Sequence, residues 1–187
     1  MMQRKMKPAI FLDRDGVLTE EKGYICSVND LNIFPYAAEC VNDIKEKGYY
    51  AIVITNQSGV ARGLFSEKTL QEMHGYLMRK IGVDRVYYCP HYPGGKVPAF
   101  SKKCYCRKPE TGLVKEACKD FAIDMENSYM VGDSYTDIIA GKAAGVHTVL
   151  IGTIKCDMCR MLKENKPDYI CKDLYSFSQK LKELEEG

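Results

Sequence analysis

Short apolar segments alternate with helical patterns along almost the whole chain, and this alternation restricts the possible folds more than any other feature. The apolar runs cover residues 9–12, 50–54, 85–88, 128–131 and 148–151. Amphipathic helical patterns separate them. Strands that alternate with helices are typical of α/β proteins, in which helices cover both faces of a parallel sheet. We therefore predict an α/β fold that binds its ligands at the carboxyl ends of the strands.

Residues that favour helix ends mark the boundaries of the helical patterns. Ser66 is suited to the N-cap of a helix, and Gly48 and Gly145 each follow a helical pattern, as glycine commonly does. His74 lies on the helix that begins at Ser66, away from the polar motifs, and is expected at the surface. The predicted helices cover residues 37–47, a segment from 66 with Leu70, Met73 and Leu77 on one face, a segment with Leu113, Val114, Ala117, Cys118 and Phe121, and residues 136–144 and 174–185.

The composition sets limits on size, partners and location. The chain has 187 residues, of which 45% are hydrophobic, and this suits one domain with its own core. The net charge of +2 and the pI of about 8.0 are too close to neutral to indicate a nucleic-acid or membrane partner. No apolar segment is long enough to span a bilayer, and the N-terminus lacks a signal-peptide core. We therefore expect a single domain over residues 1–187 that acts as a monomer in the cytoplasm, without nucleic-acid or membrane partners.

Four polar clusters stand at the ends of the predicted strands or in the loops that follow them. They cover residues 13–16 (DRDG), 55–59 (TNQSG), 107–109 (RKP) and 132–137 (GDSYTD). Each motif alone also occurs in ordinary turns, surface loops or helix caps. Their shared placement is more informative, because the carboxyl ends of parallel strands meet at one edge of a sheet. The sequence therefore predicts one site at that edge.

The residue types in these clusters are suited to phosphoryl transfer. Asp13 and Asp15 are two positions apart, so their side chains point to the same side of an extended segment. Asp13 can attack phosphorus, while Asp15 donates a proton to the leaving oxygen and later takes one from the water that hydrolyses the aspartyl-phosphate. Thr55 is expected to donate a hydrogen bond to the phosphoryl group, and Lys108 to neutralise the charge that develops on it. The predicted reaction is hydrolysis of a phosphate ester.

The carboxylates in these clusters would repel one another and the phosphate, so the predicted site requires a cation. Mg²⁺ prefers oxygen ligands and usually keeps several waters. We expect Mg²⁺ to bind the carboxylates of Asp13 and Asp133, the backbone carbonyl of Asp15 and a phosphate oxygen, with Asp137 supporting the metal shell.

Two short motifs in a loop rich in glycine, proline and lysine supply four further metal ligands. Nine cysteines is an odd number, and a cytosolic chain keeps its thiols reduced, so a close group of thiols indicates a metal rather than disulfides. Three sulfurs and one imidazole make a closed tetrahedral site, which is typical of structural zinc. The alternative is that these four side chains are unrelated. The predicted ligands, in a zinc loop over residues 89–106, are Cys89, His91, Cys104 and Cys106.

The zinc loop leads directly into Arg107 and Lys108, so a bound zinc ion would hold both of these residues in place. A separate CxxC pair, Cys156 and Cys159, lacks the strand–helix context of a redox motif. We interpret that pair as ordinary structural residues.

The order of the motifs is similar to that of a known enzyme superfamily. Asp-x-Asp-Gly, then Thr, then Lys, then Gly-Asp-x-x-x-Asp resembles the haloacid dehalogenase superfamily, whose members share a Rossmann-like sheet and an aspartyl-phosphate intermediate. Within it, FLDRDG, TNQSGVARG, CPH, CRKP and MVGD resemble the heptose-1,7-bisphosphate 7-phosphatase family. The resemblance implies Mg²⁺ and zinc as cofactors and removal of the C7 phosphate of D-glycero-D-manno-heptose 1,7-bisphosphate. Histidinol phosphate or another small sugar phosphate is the alternative substrate, although the long zinc loop favours the heptose family.

The same resemblance implies which residues contact the substrate. Two short segments would line the substrate, and Arg107 would help to recognise it. Val17 and Leu18 after the first motif, and Ser134 after Asp133, depart from the family pattern. The implied substrate-binding residues are Arg14, Glu21, Lys22, Gly23, Tyr24, Asn56, Gln57, Ser58, Arg62 and Arg107.

Two other classes of function share some of these features. A phospho-accepting receiver domain also uses a parallel sheet, an aspartate, a threonine and a lysine, but it has no metal-binding aspartate after the lysine, where this chain has Asp133. A nucleic-acid-binding module could use the basic residues of the zinc loop, although the loop lacks regularly interleaved aromatic side chains. Those basic residues are Lys96, Lys102, Lys103, Arg107 and Lys108.

Overall fold

The computed structural model describes residues 5–153 and 165–186, which form a six-stranded parallel sheet with helices on both faces. The predicted α/β fold class is confirmed. The strands are β1 (Lys7–Leu12), β2 (Tyr50–Asn56), β3 (Arg85–Cys89), β4 (Ile123–Gly132), β5 (His147–Ile151) and β6 (Tyr169–Cys171). The helices are α1 (Ala37–Glu46), α2 (Glu67–Ile81), α3 (Gly112–Asp120), α4 (Tyr135–Ala144) and α5 (Leu174–Glu186), with a short 3-10 helix over Val28–Asp30.

The strand order in the sheet is β3-β2-β1-β4-β5-β6, and all neighbouring strands are parallel. This order matches the doubly wound Rossmann arrangement, in which the direction of winding reverses beside β1. The loops after β1 and β4 therefore meet in the middle of the sheet. The sequence did not predict β6, which has three residues, too few to show a periodicity, and whose Ile170 is 53% exposed. Cys156 and Cys159 lie outside the described residues.

The side chains of β1 divide the core into two layers. Ile10 and Leu12 pack in the layer that contains α1, α2 and α5, whereas Ala9 and Phe11 pack in the layer that contains α3. All four side chains are fully buried. A strand buried on both faces reads as a continuous apolar run, which is why the period-two alternation of a surface strand is absent here.

Helix α2 has well-defined ends that fix its register against the sheet. The hydroxyl of Ser66 accepts a hydrogen bond from the backbone N–H of Thr69 at 3.0 Å, which confirms the predicted N-cap. Gly82 ends the helix in the left-handed conformation, at φ +76°. The buried face of α2 carries Leu70, Met73, His74, Leu77 and Ile81. None of the described helices is long and apolar enough to cross a membrane.

Candidate active site

Three carboxylates converge where β1 and β4 end. Asp13 follows β1 directly, Asp133 follows β4, and Asp137 lies in the first turn of α4. One oxygen atom from each lies within 4.8 Å of the others. The two glycines beside them allow this approach: a Cβ on Gly16 would lie 2.4 Å from an oxygen of Asp133, and a Cβ on Gly132 would lie 2.3 Å from an oxygen of Asp137. The sequence-predicted aspartates are therefore brought together.

Lys108 lies beside this carboxylate cluster although it comes from a distant loop. Its Nζ atom is 2.9 Å from Asp13 Oδ1, 2.5 Å from Asp137 Oδ1 and 2.7 Å from the carbonyl oxygen of Ile54, to which it donates. Its side chain is 2% exposed. The backbone of Lys108 is held in turn by Asn56, whose side-chain amide donates to the Lys108 carbonyl and accepts from the Lys108 N–H.

Burial and the mutual charges of these groups shift their pKa values. Burial raises the pKa of Asp13 to about 6, against the opposing effect of Lys108. Burial also raises the pKa of Asp137, and Asp133 adds to the shift. Burial alone would lower the pKa of Lys108, but Asp13 and Asp137 outweigh it and raise that pKa. A cluster of oxygen ligands with uncompensated negative charge fits a hard divalent cation such as Mg²⁺.

Asp15 is held by several donors at the mouth of the same site. Arg14 donates from Nε to one carboxylate oxygen and from Nη2 to the other, both at 2.9 Å. Gln57 donates from its amide nitrogen to Asp15 Oδ2 and to Thr55 Oγ1, each at 2.9 Å. Thr19 donates a further hydrogen bond to Asp15 Oδ1 at 3.1 Å. This network fixes the orientation of Asp15 and links it to Thr55.

A small cleft of about 100 Å³ opens beside Asp15. Most of the residues that the sequence assigned to the substrate line it, but Lys22 does not, and its ammonium group instead forms a surface ion pair with Glu20 at 2.7 Å. Burial raises the pKa of Glu21 on the cleft wall. The predicted residues in the cleft wall are Arg14, Glu21, Gly23, Tyr24, Asn56, Gln57 and Ser58.

Two predicted arginines, Arg62 and Arg107, do not line the cleft and instead lie against one aromatic ring, that of Tyr92. The guanidinium carbon of Arg62 is 3.9 Å from the ring centroid of Tyr92 and 5.7 Å from that of Tyr24. The guanidinium carbon of Arg107 is 5.5 Å from the Tyr92 centroid, and its Nη1 donates to the carbonyl of His91 at 3.4 Å. Arg62 Nε is buried without a hydrogen-bond partner among residues 5–153 and 165–186. The sequence did not predict a role for Tyr92, which only the folded loop brings close to both arginines.

The four predicted ligands in the zinc loop form a compact cluster. Cys89 Sγ lies 3.3 Å from Cys106 Sγ and 3.5 Å from Cys104 Sγ, and His91 Nδ1 lies 3.3 Å from Cys106 Sγ and 3.7 Å from Cys89 Sγ. Four ligands around one zinc ion would lie roughly 3.5–3.8 Å apart, so these separations fit a tetrahedral site. Burial lowers the pKa of His91, which favours the neutral imidazole that binds metals.

The prediction for His74 is wrong. Instead of lying at the surface, its side chain is 5% exposed and its Nε2 is 3.4 Å from Arg14 Nη1. The helical pattern gave a signal that could have found this, because His74 directly follows Met73 and lies four residues after Leu70, both on the buried face. Because histidine is polar, the pattern of apolar residues did not mark position 74 as buried.

The fold and the carboxylate site together define the class of haloacid dehalogenase-like hydrolases, and the HAD-hydrolase-like family model matches residues 105–177. D-glycero-beta-D-manno-heptose-1,7-bisphosphate 7-phosphatase of Escherichia coli (strain K12) is 39% identical to the chain, over 95% of the chain and 95% of that protein. The corresponding alpha-named enzyme of Photorhabdus laumondii is 44% identical over 78% of the chain and 82% of that protein. The chain belongs to this family of heptose-bisphosphate phosphatases.

A solved structure is also similar over almost the whole chain. The D,D-heptose 1,7-bisphosphate phosphatase from B. bronchiseptica, complexed with magnesium and phosphate, superimposes with a TM-score of 0.79 at 28% identity. The match covers 96% of this chain and 99% of that protein. That relative holds phosphate together with magnesium, a cation for which the carboxylate cluster described above has suitable ligands.

Proposed function

We propose that this protein is a Mg²⁺-dependent phosphatase that removes the C7 phosphate of D-glycero-D-manno-heptose 1,7-bisphosphate. The single observation that carries the proposal is the convergence of Asp13, Asp133, Asp137 and Lys108 at the carboxyl end of β1. The names of the E. coli and Photorhabdus relatives support the substrate. Because those names include both anomers, they support the heptose bisphosphate and leave the choice between α and β to experiment.

In the proposed mechanism, Asp13 is the nucleophile. Its carboxylate attacks phosphorus, the bond between phosphorus and the sugar oxygen breaks, and an aspartyl-phosphate forms. Asp15, oriented by Arg14 and Gln57, gives its proton to the departing sugar oxygen. It then takes a proton from the water that attacks the aspartyl-phosphate, so that inorganic phosphate leaves and both aspartates return to their starting states.

Lys108 and Thr55 would stabilise the phosphoryl group as it is transferred. Lys108 is buried and already contacts the nucleophile, so its charge acts in a site with little screening by water. Bound Mg²⁺ would supply further positive charge, held by Asp13, Asp133 and the backbone carbonyl of Asp15, with Asp137 in support. Asp137 also accepts a hydrogen bond from the backbone N–H of Ser134 at 3.1 Å, which fixes its position in α4.

The two arginines beside Tyr92 support a bisphosphate rather than a monophosphate substrate. A second phosphate needs a cationic group away from the Mg²⁺ ligands, and the planar fork of an arginine binds phosphate oxygens at two points. Arg107 precedes Lys108 in sequence, and both Arg107 and Arg62 lie against the Tyr92 ring. Histidinol phosphate presents an amine in place of a second phosphate, and an arginine does not attract an amine.

We propose that the four-ligand cluster holds zinc in a structural role. Four protein ligands leave no open position for a reacting water. The hydrogen bond from Arg107 to the carbonyl of His91 joins the substrate side to a metal-ligand residue. The metal would therefore stabilise the loop and the position of Arg107 together. We further propose one domain over residues 1–187 with this loop as an insert, and a monomer in the reducing cytoplasm, which would keep the thiols available for zinc.

The structure offers less support for the two competing functions. Lys108 is 2% exposed and paired with carboxylates, so it is removed from any basic surface that nucleic acid could contact. Asp133 stands beside Asp13, as a phosphatase requires and a receiver domain does not.

The proposal is tested by measuring phosphate release from three substrates. Heptose 1,7-bisphosphate should give the highest kcat/KM, fructose 1,6-bisphosphate a lower value, and histidinol phosphate the lowest. Each reaction should stop with EDTA and resume with added Mg²⁺. A higher kcat/KM for histidinol phosphate than for either bisphosphate would replace the substrate assignment, whereas the absence of release from all phosphate esters would overturn the enzyme class.

A further inference from the structure

His74 is a buried ionisable side chain that takes no part in the mechanism described above. It comes from the middle of α2, and its Nε2 lies 3.4 Å from Nη1 of Arg14. Its ring also lies against Tyr88 of β3, with ring centroids 5.2 Å apart. A polar ring in a helix face that otherwise buries aliphatic side chains requires a partner, because burial without one costs free energy. Arg14 is that partner.

The chemistry of the pair fixes the state of the imidazole. A guanidinium group only donates hydrogen bonds, so Nε2 of His74 must be unprotonated and must accept. Burial, together with the charge of Arg14, lowers the pKa of His74 to about 3, in agreement with a neutral ring. His74 is therefore an acceptor facing a cation, with its proton on Nδ1.

The contacts of Arg14 link the His74 acceptor to Asp15. Arg14 is 1% exposed, so water does not supply its hydrogen bonds freely. Its Nε and Nη2 bind the two oxygens of Asp15, and Nη1 faces His74. The guanidinium plane is thus fixed on one edge by the carboxylate that it orients and on another edge by the imidazole.

The position of His74 is itself supported from behind. The hydroxyl of Tyr88 donates to Glu67 at 3.0 Å and accepts from the side-chain amide of Gln71 at 3.3 Å. Both partners belong to α2, so the Tyr88 ring is tied to the same helix that carries His74. The chain of contacts runs from α2 through His74 and Arg14 to Asp15.

We propose that His74 is a positioning residue that fixes Arg14 and, through Arg14, aims the Asp15 carboxyl at the departing oxygen of the substrate. The inference rests on the proposed function, because it takes Asp15 as the group that protonates that oxygen. The proton moves from Asp15 to the leaving alkoxide, and His74 neither gains nor loses one. Loss of His74 should thus affect substrates that need this proton more than substrates that do not.

The test compares the kcat/KM values of two substrates. The value of kcat/KM reports on the steps up to formation of the aspartyl-phosphate. A sugar alkoxide is a poor leaving group that needs a proton, whereas p-nitrophenolate leaves readily without one. His74→Leu should lower kcat/KM for heptose 1,7-bisphosphate by about 10-fold or more and for p-nitrophenyl phosphate by about 3-fold or less, within the range that general acid catalysis supplies. His74→Gln, whose amide oxygen can accept from Arg14, should recover most of the loss. Met73→Leu, a volume-conserving change in the same helix, is the control and should change both values equally.

Asp15→Asn separates the failure of this inference from the failure of the proposed function. It should show the same substrate dependence as His74→Leu but with a larger loss, and adding His74→Leu to it should cost little more, because the two residues act through one interaction. Equal losses on both substrates for His74→Leu, beside a strong substrate dependence for Asp15→Asn, would overturn the positioning role alone. If Asp15→Asn lacked the substrate dependence, the assignment of Asp15 would fail and the inference with it. If His74→Leu does not fold, the inference is judged on His74→Gln and on His74→Asn, whose shorter amide should recover less.

Discussion

The carboxylate cluster and the cysteine cluster of this protein are assembled in opposite ways. The four cysteine-cluster ligands come from one segment of 18 residues, 89–106, whereas Asp13, Lys108 and Asp133 come from three segments spread over 121 residues, 13–133. The first cluster has four possible ligands with the spacing of a tetrahedral site, while the second has carboxylates close to Asp15, which lines a cleft. A closed thiolate site supports structure and an open oxygen site supports chemistry, which is the difference that the following predictions test.

The largest effect is expected at the carboxylate cluster. Asp13→Asn should reduce phosphate release by at least about 10³-fold, because an amide cannot attack phosphorus. Thermal unfolding should show that the variant still folds, since removing one of several buried negative charges relieves repulsion. Activity near the wild-type level would show that the carboxylate cluster is not the reacting site.

The cysteine cluster should respond in stability rather than in chemistry. Cys104→Ser should lose the bound metal. Its free energy of unfolding should be several kcal/mol lower than that of the wild type, because binding of structural zinc contributes to the free energy of folding. The exposed Cys118, outside the cluster, provides the matched control Cys118→Ser, which should change neither quantity. In the wild type, mild EDTA should stop activity while elemental analysis still finds about one zinc per chain. A zinc-free protein with full activity and unchanged stability would remove the distinction between the two clusters.

Arg107 lies between the clusters and should show a substrate-dependent effect. Arg107→Ala should cost about 1–3 kcal/mol in kcat/KM for a sugar bisphosphate, the usual cost of a lost charged hydrogen-bond partner, and much less for a monophosphate. Lys108→Ala should lower kcat on every substrate, because Lys108 serves the phosphoryl group that is transferred. Lys102→Ala, a change to a neighbouring basic residue of the same loop, is the control. Equal losses for Arg107→Ala on both kinds of substrate would contradict the second-phosphate role.

The smallest effect is expected in the pH dependence of stability that His74, near the carboxylate cluster, contributes. The pKa of His74 is lowered to about 3 in the folded protein, so below its ordinary value of 6.5 the unfolded chain takes up a proton that the folded chain does not. Stability from this residue is therefore complete above about pH 6.5 and is lost as the pH falls, by up to about 1.4 kcal/mol per pH unit. Denaturant unfolding of the wild type and of His74→Gln between pH 7 and pH 5 should show the flatter dependence in the variant. Parallel pH dependences would mean that His74 is protonated in the folded state.

Features that lie within one segment or motif could be predicted from the sequence, whereas contacts made by residues outside the motifs could not. The zinc-loop ligands share one short segment, so the sequence could group them, and the family resemblance strengthened that grouping. The aspartates were grouped correctly because their motifs follow strands, and parallel strands end at one edge. Lys108 was grouped with them because its motif stands in the loop before a helix that returns to the same sheet. His74 and Tyr92 were missed because their importance depends on contacts with Arg14 and with two arginines, respectively, and neither lies in a motif.

By itself, the sequence determined the parallel sheet apart from β6, the helices on both faces and the residue types that form each cluster. Short apolar runs that alternate with helical patterns are best buried as strands of a parallel sheet, and Asp, Lys, Cys and His carry their ligand atoms and ionisable groups wherever they stand. The tertiary structure decided which side chains hold one another in position. It brought Asn56 to the backbone of Lys108, Tyr92 close to two arginines and His74 to Arg14. Such pairings depend on the register of α2 and on the path of long loops. Local patterns do not specify either of these, because contacts between distant segments form only when the whole core has packed.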